Sequence, residues 1–541
     1  MMKKIANILV ACVVACGAWA MPARKGAVEV AQPDGSMITV YQHGDEFFHW
    51  MTNEQGDWLE MDKDGFYRIT EGLSIEQIEA KRMASPRKIQ NQEKIAVDLN
   101  IAPRGLVILV NFTDVTFKTS KTELDSMITG KNYTREYSYI HRDDTLNITS
   151  QGSAWQYFFD SSYGQYDPQF DVIGPVTVSK NMAYYGKNNK TGSDMFPEKM
   201  VQEACQLVDD SVDFNLYDNN ADGKVDFVYV IYAGYGEADG GGANTIWPHS
   251  WELSASGTYC MVDGIRVNLY ACGNELDFYS KLHTGIGTFC HEFCHVLGLP
   301  DLYVTNTAQH KTWGEWSILD YGPYNNDGNT PPALSAYERF FMGWLTPTLI
   351  VDSGEIMLEE LNKNQKALLI SENDKHNLIG NDPDTTVFYM LENRQQESWD
   401  MYLPGHGMML TKVQYSAKAW RDNTVNNKAT KMGVDIIEAL PNNSNNEKDT
   451  DLFPAGATEY TDIKDHAIRE IKEENGVIHF IYRMEEQTGN ENTTVEDVLV
   501  EDKVVAVYNI LGQKQATTDV KSLPTGTYVV VTTSGKHKIV R

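Results

Sequence analysis

The stretch CHEFCHVLGLPDLY, residues 290–303, is the part of the sequence that decides the fold of its central region. Its two histidines, His291 and His295, are four residues apart, and Glu292 follows the first. Residues four apart lie on one face of an α-helix, so both imidazoles can face the same ion. Glu292 lies about 100° around the same turn, near that ion without being a ligand. The spacing therefore predicts a helix that presents a metal site and a carboxylate beside it.

The chemistry of these side chains favours zinc and hydrolysis. Neutral imidazoles bind Zn²⁺, and a catalytic zinc has three protein ligands and an open position. The metal would polarise a carbonyl, while Glu292 takes a proton from the attacking water and later returns it. Gly298 should end the helix and turn the chain back, so that Asp301 can supply the third ligand. The spacing HExxH arises by chance about 0.02 times in such a chain, and with the later Gly and Asp about 0.0001 times.

Simpler roles remain open for parts of this segment. Gly298 alone could be an ordinary helix cap, and Asp301 alone could be a surface turn residue. Cys290 and Cys294 are also four apart, but they point about 100° away from the histidines. We therefore expect the two cysteines to pack in the core as small apolar side chains, not to complete a structural zinc site.

Length and charge restrict the classes of protein that the chain can represent. The chain has 541 residues, of which 42% are hydrophobic, enough for two or three folded units. Its formal net charge of -29 argues against nucleic acid as a partner, since phosphate binding needs a basic surface. No segment after the N-terminus is apolar for long enough to cross a membrane, so the mature form should have no transmembrane segment.

The N-terminus predicts export. Lys3 and Lys4 precede an apolar run, and Ala18-Trp19-Ala20 is a small-x-small cleavage signal, so residues 1–20 are interpreted as a signal peptide. A membrane anchor and a lipoprotein box at 13–16 are the alternatives. Five of the seven cysteines remain after cleavage, an odd and sparse set that does not resemble a disulfide framework. We expect a protein that is secreted or held at the outer cell surface.

Changes in pattern along the chain predict several units in an α+β protein. Residues 21–100 alternate like aromatic-rich strands and end in a polar stretch at 79–94, whereas residues 101–345 mix strands with helices. The runs at 106–112 and 225–234 are apolar on both faces, as in central strands, and helix 195–210 should bury Met200, Val201, Ala204, Leu207 and Val208. Residues 346–484 are interpreted as a β-rich, sandwich-like domain, 485–500 as a linker and 501–541 as a small β-domain.

A second metal is indicated by DNNADGKVD, residues 218–226. Oxygen donors at Asp218, Asn220, Asp222, the carbonyl of Lys224 and Asp226, with Gly223 in sixth place, match the first nine positions of a calcium loop. Tyr229 occupies the twelfth position, where such a loop has a bidentate glutamate. A structural Ca²⁺ is therefore expected, with an Asn/Asp-rich turn that needs no ion as the alternative. The glycine-rich stretch 234–244 is expected to form a flap beside the substrate cleft.

Several stretches together resemble the secreted zinc metallopeptidases of the immune inhibitor A type, which use HExxHxxGxxD. The similar stretches are DEFFHW (45–50), LVILVNFTD (106–114), YFFDSSYGQYD (157–167), IWPHSW (246–251), HEFCHVLGLPDLY (291–303), PALSAYERFFMGWL (332–345) and ENRQQESWDMYLPGHGMML (392–410). The resemblance implies a zincin-like catalytic domain at 101–345, peptide-bond hydrolysis and a propeptide at 21–100 that is released somewhere within 81–104. A permanent β-rich binding domain is the alternative for 21–100.

Two further site residues follow from the same resemblance. GEWSILDYG, 314–322, is similar to the turn beneath the metal in related zinc peptidases, but Leu319 stands where a methionine is usual. Tyr321 is then a candidate for stabilising the oxyanion, with ordinary packing as the alternative. His249 in IWPHSW is a candidate substrate-binding residue.

The C-terminal segments VVAVYNILGQK, SLPTGTYVVV and GKHKIVR resemble the type A sorting domain of the bacterial type IX secretion system. The resemblance implies that secretion machinery is a partner, whereas a plain accessory module is the alternative.

Together these features predict a monomeric, secreted zinc endopeptidase that is made as a zymogen and acts on proteins or peptides. The alternatives are a surface adhesin with purely structural zinc and calcium sites, and a zinc hydrolase that acts on something other than a peptide.

Overall fold

The computed structural model describes residues 21–84, 103–484 and 504–540, apart from positions 46, 63, 65, 142–143, 190–191, 442–446, 464, 510–512, 525–526 and 533–535. The predicted signal peptide, most of the predicted release region and the predicted linker lie outside these residues. The chain divides into two compact units, one of residues 1–351, 356–459 and 470–480, the other of 352–355, 460–469 and 481–541. No helix among the described residues has the length and apolar character needed to span a bilayer.

Residues 27–69 form an antiparallel sheet whose strands are neighbours in chain order. The sheet is followed by a helix, and these elements are β1 Ala27–Ala31, β2 Met37–Asp45, β3 Phe48–Thr52, β4 Trp58–Met61, β5 Tyr67–Ile69 and α1 Ile75–Ala84. Alternation places Val28, Val40, Leu59 and Tyr67 on one face, where they form a small core. Short turns connect the strands, so this region needs no long-range crossover.

The central region is built on a five-stranded sheet with the order β12-β15-β11-β6-β9. Strands β15, β11, β6 and β9 run parallel, and β12 is antiparallel at the edge. The strands of this region are β6 Arg104–Asn111, β7 Glu136–His141, β8 Asp144–Thr149, β9 Gln169–Thr177, β10 Lys224–Val225, β11 Val228–Tyr235, β12 His249–Glu252, β13 Cys260–Val262, β14 Ile265–Val267 and β15 Leu269–Leu276. The helices are α2 Lys121–Thr129, α3 Ala154–Ser161, α4 Met182–Gly186, α5 Pro197–Val208, α6 Gly287–Val296 and α7 Ala336–Phe341. The fold is therefore mixed α/β.

Strands β6 and β11 are buried on both faces, which confirms the prediction that their apolar runs lie at the centre of a sheet. Alternate residues separate into two cores. Val107, Leu109 and Ile231 pack in the core that contains α6, whereas Leu106 and Val228 pack in the core that contains α5. The sheet thus supports α6 from below with large apolar side chains on one of its faces.

Helix α5 differs from its predicted burial at one position. Leu207 is 48% exposed, whereas Cys205 is fully buried in the core with Met200, Val201 and Ala204. The prediction was therefore wrong for Leu207 and correct for the other four residues. Cys205 is buried in place of Leu207 because Cys260 of β13 lies against it.

Strands predominate after residue 345. In the first unit β16-β18-β19-β20-β21 form a five-stranded sheet, and in the second β25-β26-β27 form an antiparallel one. The strands are β16 Thr348–Leu349, β17 Gly354–Leu358, β18 Leu368–Ser371, β19 Phe388–Arg394, β20 Gly407–Val413, β21 Val434–Ile436, β22 Tyr460–Ile463, β23 His466–Glu474, β24 Val477–Met484, β25 Val504–Asn509, β26 Thr527–Thr532 and β27 Lys536–Val540. Two short helices are α8 Leu361–Asn364 and α9 Ala417–Arg421.

Helix α6 ends where the sequence predicts. Gly298 has a φ of +93°, and its N–H donates to the carbonyl of His295 at 2.8 Å. Residues with a side chain rarely adopt this backbone conformation, so glycine is suited to reverse the chain here. Cys290 and Cys294 are fully buried in the apolar core, as expected for cysteines that pack as small hydrophobic side chains. The reversal brings residues 299–301 back toward the helix.

Candidate metal centre

Three predicted ligands come together at the end of α6. The Nε2 atoms of His291 and His295 are 3.0 Å apart. The Oδ1 atom of Asp301 lies 3.4 Å from Nε2 of His291 and 3.2 Å from Nε2 of His295. All three side chains are buried, and they are the only such cluster of three or more metal-binding side chains within the described residues. The structure therefore brings together the set His291, His295 and Asp301.

Backbone carbonyls fix the orientation of both imidazoles. Nδ1–H of His291 donates to the carbonyl of Ile318 at 2.6 Å, and Nδ1–H of His295 donates to the carbonyl of Leu299 at 2.9 Å. A carbonyl can only accept, so each ring carries its proton on Nδ1 and keeps a lone pair on Nε2. Both lone pairs are on the atoms that approach Asp301, as in metal-binding histidines.

Asp301 is held by one asparagine through two hydrogen bonds. The side chain of Asn423 donates to Oδ2 of Asp301 at 2.5 Å and accepts from its backbone N–H at 2.9 Å. The other carboxylate oxygen, Oδ1, is buried without a hydrogen-bond partner. A buried oxygen of this kind, beside two imidazole nitrogens, matches the donor set that Zn²⁺ takes from proteins. The three side chains thus fit zinc.

The turn at 314–322 supports the centre from below. Asp320 is buried and accepts from the hydroxyl of Thr312 at 2.6 Å and from the N–H of Gly314 at 2.8 Å. Burial nevertheless raises the pKa of Asp320 to about 6. The hydroxyl of Ser317 donates to Glu338 of α7 at 2.5 Å. These hydrogen bonds hold the backbone around Ile318, whose carbonyl accepts the hydrogen bond from His291. Leu319 is fully buried in the same core as α6.

Glu292 lies on the same helix and is fully buried. Neither of its carboxylate oxygens has a hydrogen-bond partner among the described residues. Burial raises the pKa of Glu292 well above its usual value, and the neighbouring Asp301 carboxylate raises it further. A buried carboxylate without a partner is costly, so its presence beside the ligands indicates a group kept ready to exchange a proton.

Residues 21–24 approach this centre from the N-terminal part of the chain. The backbone amide of Met21 lies close enough to Glu292 to oppose part of the rise in its pKa. The indole N–H of Trp247 donates to the carbonyl of Met21 at 3.1 Å, and the hydroxyl of Tyr324 donates to the carbonyl of Pro22 at 2.8 Å. The segment thus lies next to Glu292 and is held there by two side chains of the central region.

The remaining part of this segment binds further along the same cleft. The N–H of Arg24 donates to the carbonyl of Ala238 at 2.9 Å, and the ammonium of Lys25 lies 4.0 Å from the centre of the Tyr321 ring. Tyr321 lines a cavity together with Pro22 and Lys25. Its predicted role at the oxyanion stays a prediction.

His249 is placed differently from the metal ligands. It is fully buried in β12, with Nδ1 at 2.6 Å from the carbonyl of Trp247 and Nε2 at 2.9 Å from the hydroxyl of Tyr270. Both ring nitrogens are thus engaged by the protein, an arrangement that favours a role in orienting Trp247. Substrate binding by His249 stays a prediction.

The loop 218–226 is closed by its own hydrogen bonds. Asp218 accepts from the N–H groups of Asp222 at 3.0 Å and Gly223 at 2.9 Å, and Asp222 accepts from the N–H of Lys224 at 2.9 Å. Asp226 accepts from the backbone and the side chain of Asn219, both at 2.8 Å, and burial raises its pKa. Residues 220–223 are exposed. This geometry is an Asx-type turn, and occupancy by calcium stays a prediction.

Sequence analysis missed Asn423 and the carbonyls of Leu299 and Ile318. A backbone carbonyl carries no sequence signal, and Asn423 is 122 residues from Asp301. Asn423 has a φ of +51°, a conformation that asparagine tolerates better than most residues. The Asn-rich stretch around it was therefore the one available signal, and that signal is weak.

Comparison with known proteins agrees with this geometry. Residues 100–345 match the family model described as "Immune inhibitor A peptidase M6, catalytic domain". Curated relatives include the Pre-pro-metalloprotease PrtV of Vibrio cholerae serotype O1, 26% identical over 314 residues, which are 51% of this chain and 33% of PrtV. Immune inhibitor A of Bacillus thuringiensis subsp. alesti is 27% identical over 298 residues, which are 48% of this chain and 42% of that protein. The chain thus spans about a third to two fifths of the length of these relatives. Residues 100–345 are therefore similar to the catalytic domain of the immune inhibitor A peptidase M6 family.

Proposed function

We propose that the protein is a secreted zinc-dependent endopeptidase that is made as an inactive precursor. The observation that carries the proposal is the buried group of His291, His295 and Asp301, with the unpartnered carboxylate of Glu292 beside it. The match to the M6 catalytic domain and the similarity to PrtV, which is named a pre-pro-metalloprotease, support the same function. His291, His295 and Asp301 would hold the zinc ion.

Glu292 and Tyr321 would have different roles in hydrolysis. When bound, zinc supplies Lewis acidity, which polarises a carbonyl oxygen and lowers the pKa of water. Glu292 accepts a proton from the attacking water and delivers it to the amine nitrogen that leaves. Its raised pKa suits this exchange, because a carboxyl at its ordinary pKa would hold the proton too weakly. Tyr321 would donate a hydrogen bond to the oxygen that gains charge.

Residues 21–84 would act as the inhibitory prosegment. Met21 and Pro22 lie beside Glu292, and two side chains of the central region bind their carbonyls. Arg82, near the end of α1, is only 4% exposed, because it pairs with Asp45 and donates to the carbonyl of Thr305 at 2.7 Å. A protease therefore has little access to Arg82, and within the predicted release region 81–104 the cut would lie after α1.

The remaining units complete the proposed protein. Residues 101–345 would be a zincin-like catalytic domain, 346–484 a β-sandwich-like accessory domain, and 501–541 a domain that binds the type IX secretion machinery. The protein would reach the medium or the outer cell surface, act there on proteins or peptides as a monomer, and hold a structural Ca²⁺ in the loop 218–226.

The decisive experiment replaces Glu292 with glutamine in the purified protein after removal of the prosegment. Glu292→Gln should keep its zinc, measured by atomic absorption, because Glu292 is not a ligand. Casein hydrolysis should fall by about 10²–10⁴-fold, the usual contribution of a general acid–base group. Glu136→Gln, an exposed position at the start of β7, is the matched control and should retain activity. Full activity of Glu292→Gln would refute the mechanism. If the wild-type protein hydrolyses no casein, with or without a zinc chelator, a binding protein would be favoured instead.

A further inference from the structure

Three buried carboxylates, none of them a predicted metal ligand, interact with Arg24. Asp239, Asp277 and Asp327 come from three different segments of the central region. Asp239 and Asp277 are 7% and 3% exposed, and the Asp327 side chain is 3% exposed. Buried carboxylates that approach each other repel, so such a group either takes up a proton or pairs with a cation.

Arg24 supplies that cation in the precursor. Its guanidinium donates to Asp277, and through its second nitrogen to Asp327 at 2.5 Å. The guanidinium carbon lies 4.3 Å from the centre of the Tyr279 ring. A guanidinium is planar and can pair with two carboxylates while it lies over an aromatic ring, which an ammonium does less well. The pocket is therefore shaped for arginine.

The carboxylates are oriented independently of Arg24. The hydroxyl of Tyr137 donates to Oδ2 of Asp327 at 2.9 Å, and the N–H of Ser280 donates to Oδ1 of Asp277 at 2.6 Å. Asn274 donates to Oδ2 of Asp239 at 3.3 Å. These partners belong to the central region, so the pocket would keep its shape after residues 21–84 have left.

Asp239 adds a third carboxyl to this group. Its Oδ1 atom is buried without a hydrogen-bond partner, and burial together with Asp277 raises its pKa to about 8. Lys281 is close enough to interact with Asp239 and Asp277, but burial lowers its own pKa. Arg135 also interacts with Asp327, but Arg24 is the cation that donates to two of the three carboxylates.

The cleft also binds the backbone of the same segment. Trp247, Tyr324 and the carbonyl of Ala238 bind the carbonyl of Met21, the carbonyl of Pro22 and the N–H of Arg24. The backbone nitrogen of Met21 lies close to Glu292, the group that would deliver a proton to the leaving nitrogen. Counted from that nitrogen, Arg24 is the fourth residue, about 10 Å along an extended chain.

We propose that Asp239, Asp277 and Asp327 form a substrate subsite that selects arginine at the fourth residue after the cleaved bond. The inference rests on the proposed peptidase function. Arg24 then holds in the precursor the place that a substrate arginine takes in the active enzyme. A free arginine side chain in a substrate would restore the two ion pairs that the carboxylates lose when the prosegment departs.

The test uses the enzyme freed of residues 21–84 and a set of quenched fluorescent peptides that differ at one residue. The fourth residue after the bond is arginine, lysine, glutamine or citrulline, and further peptides place arginine third or fifth. For arginine at the fourth position, kcat/KM should exceed that for glutamine or citrulline by about 10–100-fold, the range for a charged hydrogen bond. Lysine should fall between them. Mass spectrometry of the products fixes the cleaved bond.

Variants assign the preference to the pocket. In Asp277→Asn and Asp327→Asn the arginine-to-glutamine ratio of kcat/KM should fall at least about 10-fold, the lower end of what a hydrogen bond to a charged group contributes. Using the ratio removes any general loss of activity. Asp210→Asn, an exposed position, is the control and should keep the wild-type ratio.

The outcomes separate this inference from the function on which it rests. Equal cleavage of arginine and citrulline peptides by the wild-type enzyme would overturn the subsite while leaving the peptidase in place. An arginine preference that persists in both variants would also overturn it, since another surface would then be responsible. Failure to cleave any peptide would overturn the proposed function, and the subsite with it. If the variants do not fold, the wild-type comparison of arginine with citrulline still decides.

Discussion

The two predicted metal sites differ in what their oxygen atoms already bind. At the end of α6, Oδ1 of Asp301 is buried, lacks a hydrogen-bond partner and faces two imidazole nitrogens. In the loop 218–226, Asp218 and Asp222 instead accept hydrogen bonds from the loop's own backbone, and residues 220–223 are exposed. The first site therefore has a donor set that needs a cation, whereas donors of the second already accept hydrogen bonds from the loop, and calcium binding there stays a prediction.

The difference shows why spacing is better evidence for one site than for the other. Two histidines on a helix point the same way because of helix geometry alone. Oxygen donors at alternate loop positions have a second use, since Asn and Asp side chains readily cap backbone N–H groups in turns. A calcium-like spacing is thus compatible with two structures, and burial decides between them.

The largest effect is expected for Asp301→Ala. Loss of the carboxylate leaves two ligands, so the affinity for zinc should fall by more than the 10–100-fold typical of supporting residues, and peptidase activity should fall to background. Zinc content after gel filtration measures the first effect and casein hydrolysis the second. Asp222→Ala serves as the control and should keep its zinc. Loss of zinc from the control but not from Asp301→Ala would show that Asp301 is not the ligand.

A smaller effect is expected for Asn423→Ala. The variant removes both hydrogen bonds that hold Asp301, so the affinity for zinc should decrease about 10–100-fold while the ligands stay in place. Titration with a competing chelator measures the change. Asn427→Ala is the matched control, because Asn427 binds Thr305 of the same loop but does not touch a ligand. Equal losses in both variants would mean that loop stability matters and orientation of Asp301 does not.

In the second site the key residue is predicted to be Asn219, which is not a candidate ligand. Its amide donates to Asp226 and to the carbonyl of Arg104, and its oxygen accepts from the N–H of Arg104. Asn219→Ala should lower the free energy of unfolding by about 1–3 kcal/mol, since it leaves buried polar groups without partners. Urea unfolding followed by fluorescence tests this, and zinc content should not change. Asn220→Ala, at an exposed position, should have a smaller effect.

The smallest effect is expected for Asp222→Asn. Without calcium, this exposed substitution should change stability by no more than about 0.5 kcal/mol. If the loop binds calcium, a calcium concentration of ten times the Kd should raise the free energy of unfolding of the wild type by about 1.4 kcal/mol. The increase should be smaller for the variant. Thermal unfolding with and without calcium measures both values. No calcium effect on the wild type would leave the loop as an ion-free turn.

Local geometry explains which features could be predicted from the sequence. The spacing of His291, Glu292 and His295 and the stop at Gly298 depend on one helix and its end, so they follow from neighbouring residues. The apolar runs of β6 and β11 likewise required a buried position. Asn423 could not be found in this way, because its contact with Asp301 depends on how distant segments pack.

The position of residues 21–24 could not be predicted from the sequence either. The sequence Met-Pro-Ala-Arg does not distinguish a segment that lies beside Glu292 from an ordinary loop before the first strand. The exposure of Leu207, in place of Cys205, has the same origin, since tertiary neighbours decide which side of an amphipathic helix is covered.

Arg82 has a consequence for the timing of activation. Its guanidinium joins α1 to Asp45 within the N-terminal part and to Thr305 in the loop after the zinc helix. A cut after α1 breaks the covalent tether but none of these contacts. In the proposed precursor, the severed fragment would therefore stay bound as an inhibitor until it dissociates, and dilution into the surroundings would act as a second, slower trigger after proteolysis.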